Sequence, residues 1–124
     1  MYHIEEITLK NGPKERKDLV IRFDDPNMQI VGEFLMADAS LLDAAVLDEI
    51  DQVLSGETKV IKSSGNRCSL VIKADKTLIE DLFGDFDGVD TLPSYAIDTR
   101  KLRELIVMWL NKLQEFKSGN RWRD

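Results

Sequence analysis

The stretch 41–54 constrains the fold of this chain most strongly, because its apolar residues recur with the spacing of an α-helix. They form one stripe along such a helix, at positions 41, 42, 45, 46, 50, 53 and 54. Ser40 is suited to cap the first turn, and Gly56 is suited to the left-handed position that ends a helix. After Gly56 the apolar spacing changes to that of an extended chain. The sequence therefore predicts an amphipathic helix over 41–54.

A second apolar stripe near the C-terminus predicts another helix, over 99–117. Its members lie at positions 102, 105, 106, 109, 110, 113 and 116. Asp98 precedes this helix as an N-cap, and Gly119 follows it as a stop. Because few apolar residues remain beyond that point, we expect residues 118–124 to form a frayed tail.

Six further segments predict strands, because they are rich in β-branched and aromatic residues or alternate in polarity. They are 2–10, 19–23, 28–36, 57–63, 66–74 and 76–83. The polar segment 11–18 begins with Asn-Gly-Pro and is expected to form a turn or mobile loop. The segment 84–95 contains two glycines, one proline and three aspartates, so we expect it to cross the surface without regular structure.

The predicted order is β-β-β-α-β-β-β-α in a single domain. Two helices are too few to cover both faces of six strands, so the fold class is α+β. We expect an antiparallel six-stranded sheet, or two three-stranded leaves, packed by the two helices. A chain of 124 residues can bury such a core without disulfides.

No membrane or secretion signal is evident in the sequence. No apolar run reaches the roughly 18 residues that a membrane-spanning helix needs. The first ten residues carry two glutamates where a signal peptide would carry basic residues. We therefore expect a soluble cytoplasmic protein.

The residues that usually perform catalysis are scarce. The single histidine, His3, lies in the first predicted strand, and no serine or cysteine can be assigned to it as a nucleophile. The single cysteine, Cys68, excludes an intramolecular disulfide, and its apolar neighbours indicate a buried residue. No phosphate-binding loop, dinucleotide fingerprint or zinc spacing is present. We therefore predict no catalytic residues, no cofactor and no metal site.

Carboxylates are plentiful, and one acidic loop partly matches the pattern of a calcium site. Residues 85–90 read Asp-Phe-Asp-Gly-Val-Asp, but Gly88 stands at the fourth place of this loop where a calcium loop has glycine at the sixth. No glutamate occupies the twelfth place either. The sequence favours a plain acidic loop or a contact surface there.

The acids are numerous and unevenly distributed. The formal net charge is −6, whereas nucleic-acid-binding proteins usually carry a basic surface. Lys and Arg are absent from 38–57 and from 80–98, and each of these segments holds six acids. Such blocks speed encounter with basic partners, although acidic surfaces also serve solubility alone.

Two stretches carry a family resemblance. The run LDEIDQVLSGETKVIKSSGNRCSLVIKADKTLIEDLF (47–83), followed by IDTRKLRELIVMWLNKLQEF (97–116), resembles small bacterial immunity proteins of polymorphic-toxin systems. These are the antitoxins of contact-dependent-inhibition, LXG-type and related secreted toxins. In its helix-then-hairpin order the chain also resembles the uncharacterised YacL-like family. The resemblance implies a non-enzymatic protein that binds and neutralises a cognate toxin, in many cases a nuclease.

The acidic surface is the predicted contact with such a toxin, because the substrate groove of a nuclease is basic. The candidate residues belong to the first helix, to the end of the last strand before the acidic loop, and to that loop. They are Asp43, Asp48, Glu49, Asp51, Glu80, Asp81, Asp85, Phe86, Asp87 and Asp90. We favour 85–90, because a loop can be shaped to a partner without disturbing the core, with Phe86 as an aromatic anchor.

Two alternatives remain open from the sequence. A nucleic-acid-binding or regulatory domain could use the basic segment 10–22, which holds Lys10, Lys14, Arg16, Lys17 and Arg22. An enzyme with a carboxylate site is the other, but it lacks any convergent set of residues.

Overall fold

The fold combines helices with two separate antiparallel sheets. A computed structural model describes residues 2–39, 44–82 and 92–120. The strands are β1 (Tyr2–Asn11), β2 (Lys14–Phe23), β3 (Val60–Ser64), β4 (Cys68–Lys73), β5 (Lys76–Asp81) and β6 (Tyr95–Asp98). The helices are α1 (Gln29–Phe34), α2 (Ala44–Leu54) and α3 (Thr99–Asn120), with a 3-10 turn at Pro26–Met28 and a π-helical turn at Leu35–Ala39.

The predicted α+β class is confirmed, but the predicted sheet is wrong. Among the described residues, β1 and β2 form a two-stranded sheet, and β3-β4-β5-β6 form a four-stranded one in that order. Every pairing is antiparallel. Among the residues that the structure describes, neither the six-stranded sheet nor the two three-stranded leaves occurs, because β1 and β2 pair only with each other.

The segment 28–36 is helical, so its predicted strand is wrong. Its buried residues Ile30, Val31, Phe34 and Leu35 recur with helical spacing, although β-branched and aromatic residues among them are typical of strands. The helix packs against β2 at Gly32, where a Cβ would stand 3.4 Å from the Ile21 carbonyl oxygen, an ordinary van der Waals distance.

The segment 11–18 is largely strand, so the predicted loop is also wrong. β1 and β2 pair along ten residues each, from Tyr2 opposite Phe23 to Asn11 opposite Lys14. Gly12, with φ of +64°, provides the turn between them. The ring centroids of Tyr2 and Phe23 lie 5.8 Å apart at the base of this hairpin.

β6 was not predicted either. It occupies Tyr95–Asp98 and overlaps the segment 84–95, which is expected to lack regular structure, only at Tyr95. It pairs with β5, with Lys76 opposite Asp98 and Ile79 opposite Tyr95. The rest of that segment up to position 91 lies outside the described residues.

Both predicted amphipathic helices are present. α2 covers 44–54 of the predicted 41–54, and Gly56 adopts φ of +84° behind it. Asp98 caps α3, because its carboxylate accepts a hydrogen bond from the Lys101 backbone N–H at 3.1 Å. α3 continues to Asn120, into the tail that was predicted to be frayed.

The core lies between the helices and one face of the four-stranded sheet. The helices contribute Phe34, Ile50, Leu102, Ile106 and Trp109, among others, and the sheet contributes Leu70, Ile72, Ile79 and Ile97, all of them at most 4% exposed. Full burial of one such side chain contributes about 2 kcal/mol. Burial, rather than surface ion pairing, therefore supplies most of the driving force for folding.

Candidate partner-binding surface

The acids of α2 do not all face solvent freely. Asp48 is exposed. Glu49 accepts a hydrogen bond from the Ser63 hydroxyl of β3 at 3.0 Å. Asp51 forms a two-point ion pair with Arg103 of α3, with its oxygens 2.7 and 3.1 Å from Nε and Nη2. This hydrogen bonding lowers the pKa of Asp51 below its ordinary value.

The C-terminal end of α2 forms a shallow negative depression, which we call the acidic patch. It is lined by Asp48, Asp51, Gln52, Ser55 and Glu57. Within the described part of the chain, Asp48 and Glu57 have no ion pair. The negative end of the helix dipole lies at the same place. The patch therefore presents two exposed carboxylates and a helix C-terminus of the same electrostatic sign.

Glu80 and Asp81 point in opposite directions from β5, as neighbouring residues of a strand do. Glu80 is exposed and lies opposite Ser69 of β4. The side chain of Asp81 is fully buried and accepts hydrogen bonds from Arg67 Nε at 3.2 Å and Nη2 at 3.1 Å. It also accepts one from the Leu92 backbone N–H at 3.1 Å. Asp81 thus anchors neighbouring chain segments, and only Glu80 of this pair offers its carboxylate to solvent.

The other candidate contact residues lie outside the described residues. They are Asp43, Asp85, Phe86, Asp87 and Asp90. The role of the acidic loop 85–90 in partner binding therefore stays a prediction.

The structure reveals a buried polar cluster that the sequence reasoning missed. Asp38, only 1% exposed, lies in the π-helical turn after α1. Its carboxylate accepts hydrogen bonds from the backbone N–H groups of Asn66 at 2.7 Å, Arg67 at 2.9 Å and Cys68 at 2.7 Å. Three backbone donors on one carboxylate satisfy a buried charge. Asp38 therefore ties the turn between β3 and β4 to the helical layer.

Arg67 joins this cluster to the C-terminal end of β5, an inner strand of the four-stranded sheet. Besides its two bonds to Asp81, its Nη1 lies 3.9 Å from a carboxylate oxygen of Glu33 in α1. A helical reading of 28–39 would have placed Asp38 on the same side as Val31, Phe34 and Leu35, which is the one signal in the sequence that points to a buried acid. Reading this segment as a strand hid that signal.

Cys68 is buried at 1% exposure, which confirms the sequence prediction. Burial, together with the nearby charges of Asp38 and Asp81, raises the pKa of its thiol to about 12. The thiolate, which is the reactive form, is therefore negligible near neutral pH. Among the described residues, no group of three metal-ligating side chains converges.

The basic segment 10–22 lies on the β1–β2 hairpin and is interleaved with acids. Lys17 pairs with Glu6 at 3.4 Å, and Arg22 lies 3.9 Å from Glu5. Arg16 lies 3.9 Å from Asp18 of its own strand. The hairpin, residues 2–23, contains five basic and four acidic side chains, so its net formal charge is only +1. This arrangement gives little electrostatic attraction for phosphate backbones.

One curated relative decides the family. Over 106 residues the chain is 33% identical to a protein of Bacillus cereus named "Immunity protein", and the match covers 82% of this chain and 83% of that protein. The chain belongs to the immunity-protein family. This membership confirms the sequence resemblance at the level of the family. No protein-family model matches the chain, and no solved structure matches it.

This member of the immunity-protein family shows no membrane-spanning helix in 2–39, 44–82 or 92–120. α3 is long enough to cross a bilayer, but charged residues recur along it.

Proposed function

We propose that this chain is a non-enzymatic immunity protein that binds and neutralises a cognate toxin of a polymorphic-toxin system, of the contact-dependent-inhibition or a related type. The observation that carries the proposal is membership of the immunity-protein family. An immunity protein needs a surface complementary to its toxin, and it needs no reactive site of its own. The buried, high-pKa thiol of Cys68 agrees with that role.

The proposed toxin is a nuclease, and the proposed contact is the acidic exterior. A nuclease groove is basic because it binds a phosphate backbone. The chain carries a net charge of −6, and its acidic patch presents Asp48 and Glu57 without ion pairs to other described residues. Opposite charges on two partners speed their encounter. Fast capture matters here, because a nuclease does damage until it is bound.

The acidic loop 85–90 is proposed as the second part of this contact. Asp85, Asp87 and Asp90 would contribute further carboxylates to the contact, and Phe86 would insert into the toxin as an aromatic anchor. Asp81 is not part of the proposed contact, because its buried carboxylate is bound by Arg67 and the Leu92 N–H.

The test is a growth assay in which this chain is co-expressed with the product of the gene directly upstream of its own. We expect wild-type chain to restore growth. We expect Asp85→Lys/Asp87→Lys/Asp90→Lys, and separately Asp48→Lys/Glu57→Lys, to protect less at equal protein level. The charge-matched controls are Asp75→Lys/Glu104→Lys for the double variant and Asp75→Lys/Glu104→Lys/Glu115→Lys for the triple variant, which reverse exposed acids that belong to neither segment. Full protection by both test variants would show that these acids do not form the toxin contact. Failure of the wild-type chain to protect would show that the upstream product is not its cognate toxin.

A further inference from the structure

The outer half of the β1–β2 hairpin extends away from the core. The base of the hairpin packs against the core through Tyr2, Ile4, Leu19, Ile21 and Phe23. In contrast, every residue from Thr8 to Lys17 is exposed. Both faces of this outer half therefore meet solvent, and its strands gain little from the core that stabilises the base.

Both strands of the hairpin are edge strands. Within the described residues, β1 pairs only with β2, and the two form a sheet of their own. The outer edge of β1 therefore carries N–H and C=O groups that no strand satisfies. Two-stranded ribbons are marginally stable in water, and a free edge is a template for further pairing.

The sequence of β1 is complementary to itself in one antiparallel register. A two-fold axis normal to a sheet places one residue opposite its own copy. With Thr8 on that axis, Ile7 lies opposite Leu9 of the second copy, and Glu6 lies opposite Lys10 of the second copy. Each of these pairs occurs twice by symmetry. Apolar, threonine–threonine and opposite-charge pairs all stabilise neighbouring strands.

Other registers lack this complementarity. With Ile7 on the axis, Glu5 would lie opposite Leu9, and Ile4 opposite Lys10. On the exposed part of β2, 14–17, every residue is charged, so any axis there sets a like charge against itself. The pairing is therefore specific to β1 and to Thr8.

We infer that two copies of this chain associate by pairing β1 with β1 about Thr8, which joins the two hairpins into a four-stranded antiparallel sheet. Ile7 and Leu9 lie on one face of β1, and Glu6 and Lys10 lie on the other. Leu9 is 41% exposed in the single chain, and its contact with Ile7 of the second copy covers it. On the other face, Glu6 already pairs with Lys17 at 3.4 Å and gains Lys10 of the second copy. None of the acids assigned to the toxin contact takes part.

The test measures the mass of the full chain in solution by analytical ultracentrifugation over a wide range of concentration. We expect wild type to dimerise with rising concentration. Glu6→Lys sets two lysines against each other in each pair, and Lys10→Glu sets two glutamates against each other. Each single variant is expected to raise the dimer dissociation constant about tenfold or more, because like charges then face each other twice.

An equimolar mixture of the two single variants decides the matter. In the mixed dimer, position 6 of each copy again lies opposite an oppositely charged residue at position 10 of the other, so dimers should form. The double variant Glu6→Lys/Lys10→Glu restores the same opposite-charge pairs and should dimerise like wild type. This rescue separates pairing from local damage, because each single change also disturbs contacts within its own hairpin. Circular dichroism checks that each variant is folded. A wild type that stays monomeric, dimers unaffected by the single changes, or a mixture that stays monomeric would each overturn the inference.

Discussion

The carboxylate of Asp38 fills the space that a side chain on Gly65 would need. A Cβ on Gly65 would stand 2.6 Å from Cγ of Asp38. The backbone of Gly65 is not in the left-handed region, so the requirement at this position is for space and not for an unusual φ. The carboxylate cannot easily retreat, because three backbone N–H groups hold it.

Gly65→Ala is therefore expected to destabilise the fold. Inserting a methyl group against fixed neighbours costs about 1–3 kcal/mol. Urea unfolding followed by circular dichroism would show a lower midpoint with an unchanged slope. An unchanged midpoint would mean that the turn between β3 and β4 moves freely relative to Asp38.

Asp38→Asn keeps the shape of the side chain but replaces one acceptor oxygen by an NH2 group. The remaining oxygen can serve Asn66 and Arg67, while the Cys68 N–H would then face a donor. An unsatisfied buried donor costs about 1–3 kcal/mol, so the free energy of unfolding should fall by that amount. Asp75→Asn, at an exposed site, is the control. Equal stability of both variants would show that the three hydrogen bonds contribute nothing net.

The ion pair between Asp51 and Arg103 is expected to make a small, pH-dependent contribution to stability. Because the folded-state pKa of Asp51 is lowered from 3.8, this contribution is present above pH 3.8 and lost as the pH falls through the folded value. Both side chains are more than a third exposed, so the coupling should be only about 0.5 kcal/mol. A double-mutant cycle with Asp51→Asn and Arg103→Gln, repeated at neutral and acidic pH, measures it. Coupling that grows on acidification would contradict this account.

Cys68 should resist thiol reagents in the folded chain. Because the pKa of its thiol is raised to about 12, almost no thiolate is present at a pH of about 8.5, where a free cysteine is half ionised. The residue is also only 1% exposed. A chromogenic disulfide reagent is expected to react only at the rate of unfolding, and at once in guanidinium chloride. Rapid reaction without denaturant would show that the cluster around Asp38 opens readily.

The parts of the fold that the sequence predicted are those in which one residue pattern dominates. α2 and α3 carry stripes of helical period over several turns, and β3 and β4 are β-branched runs separated by a turn signal. The segment of α1 was predicted as a strand because of its residue types. Its apolar residues have helical spacing, and the spacing agrees with the observed helix. Residues 14–17 of β2 are all charged and show no alternation of apolar and polar side chains, because both faces of this part of the strand are exposed to solvent. The sequence pattern therefore did not indicate a strand there.

Long-range pairing explains the remaining differences. β6 has four residues and forms a strand because the edge of β5 is available to it. Asp81 was predicted as a surface contact, but its burial depends on Arg67, fourteen positions earlier, and on Leu92. Local sequence patterns do not indicate which distant residues will bond such a side chain. Charge alone therefore indicated an acidic exterior without showing which of its carboxylates are already engaged.

The most direct measurement of the central claim is the rate at which this chain associates with the purified product of the upstream gene, followed over a series of salt concentrations. Asp48→Lys/Glu57→Lys/Asp87→Lys is compared with Asp75→Lys/Glu104→Lys/Glu115→Lys, which has the same net charge. We expect the first variant to associate about tenfold or more slowly and with a weaker salt dependence, and the second to stay near wild type. Equal association rates for the two variants would contradict this expectation.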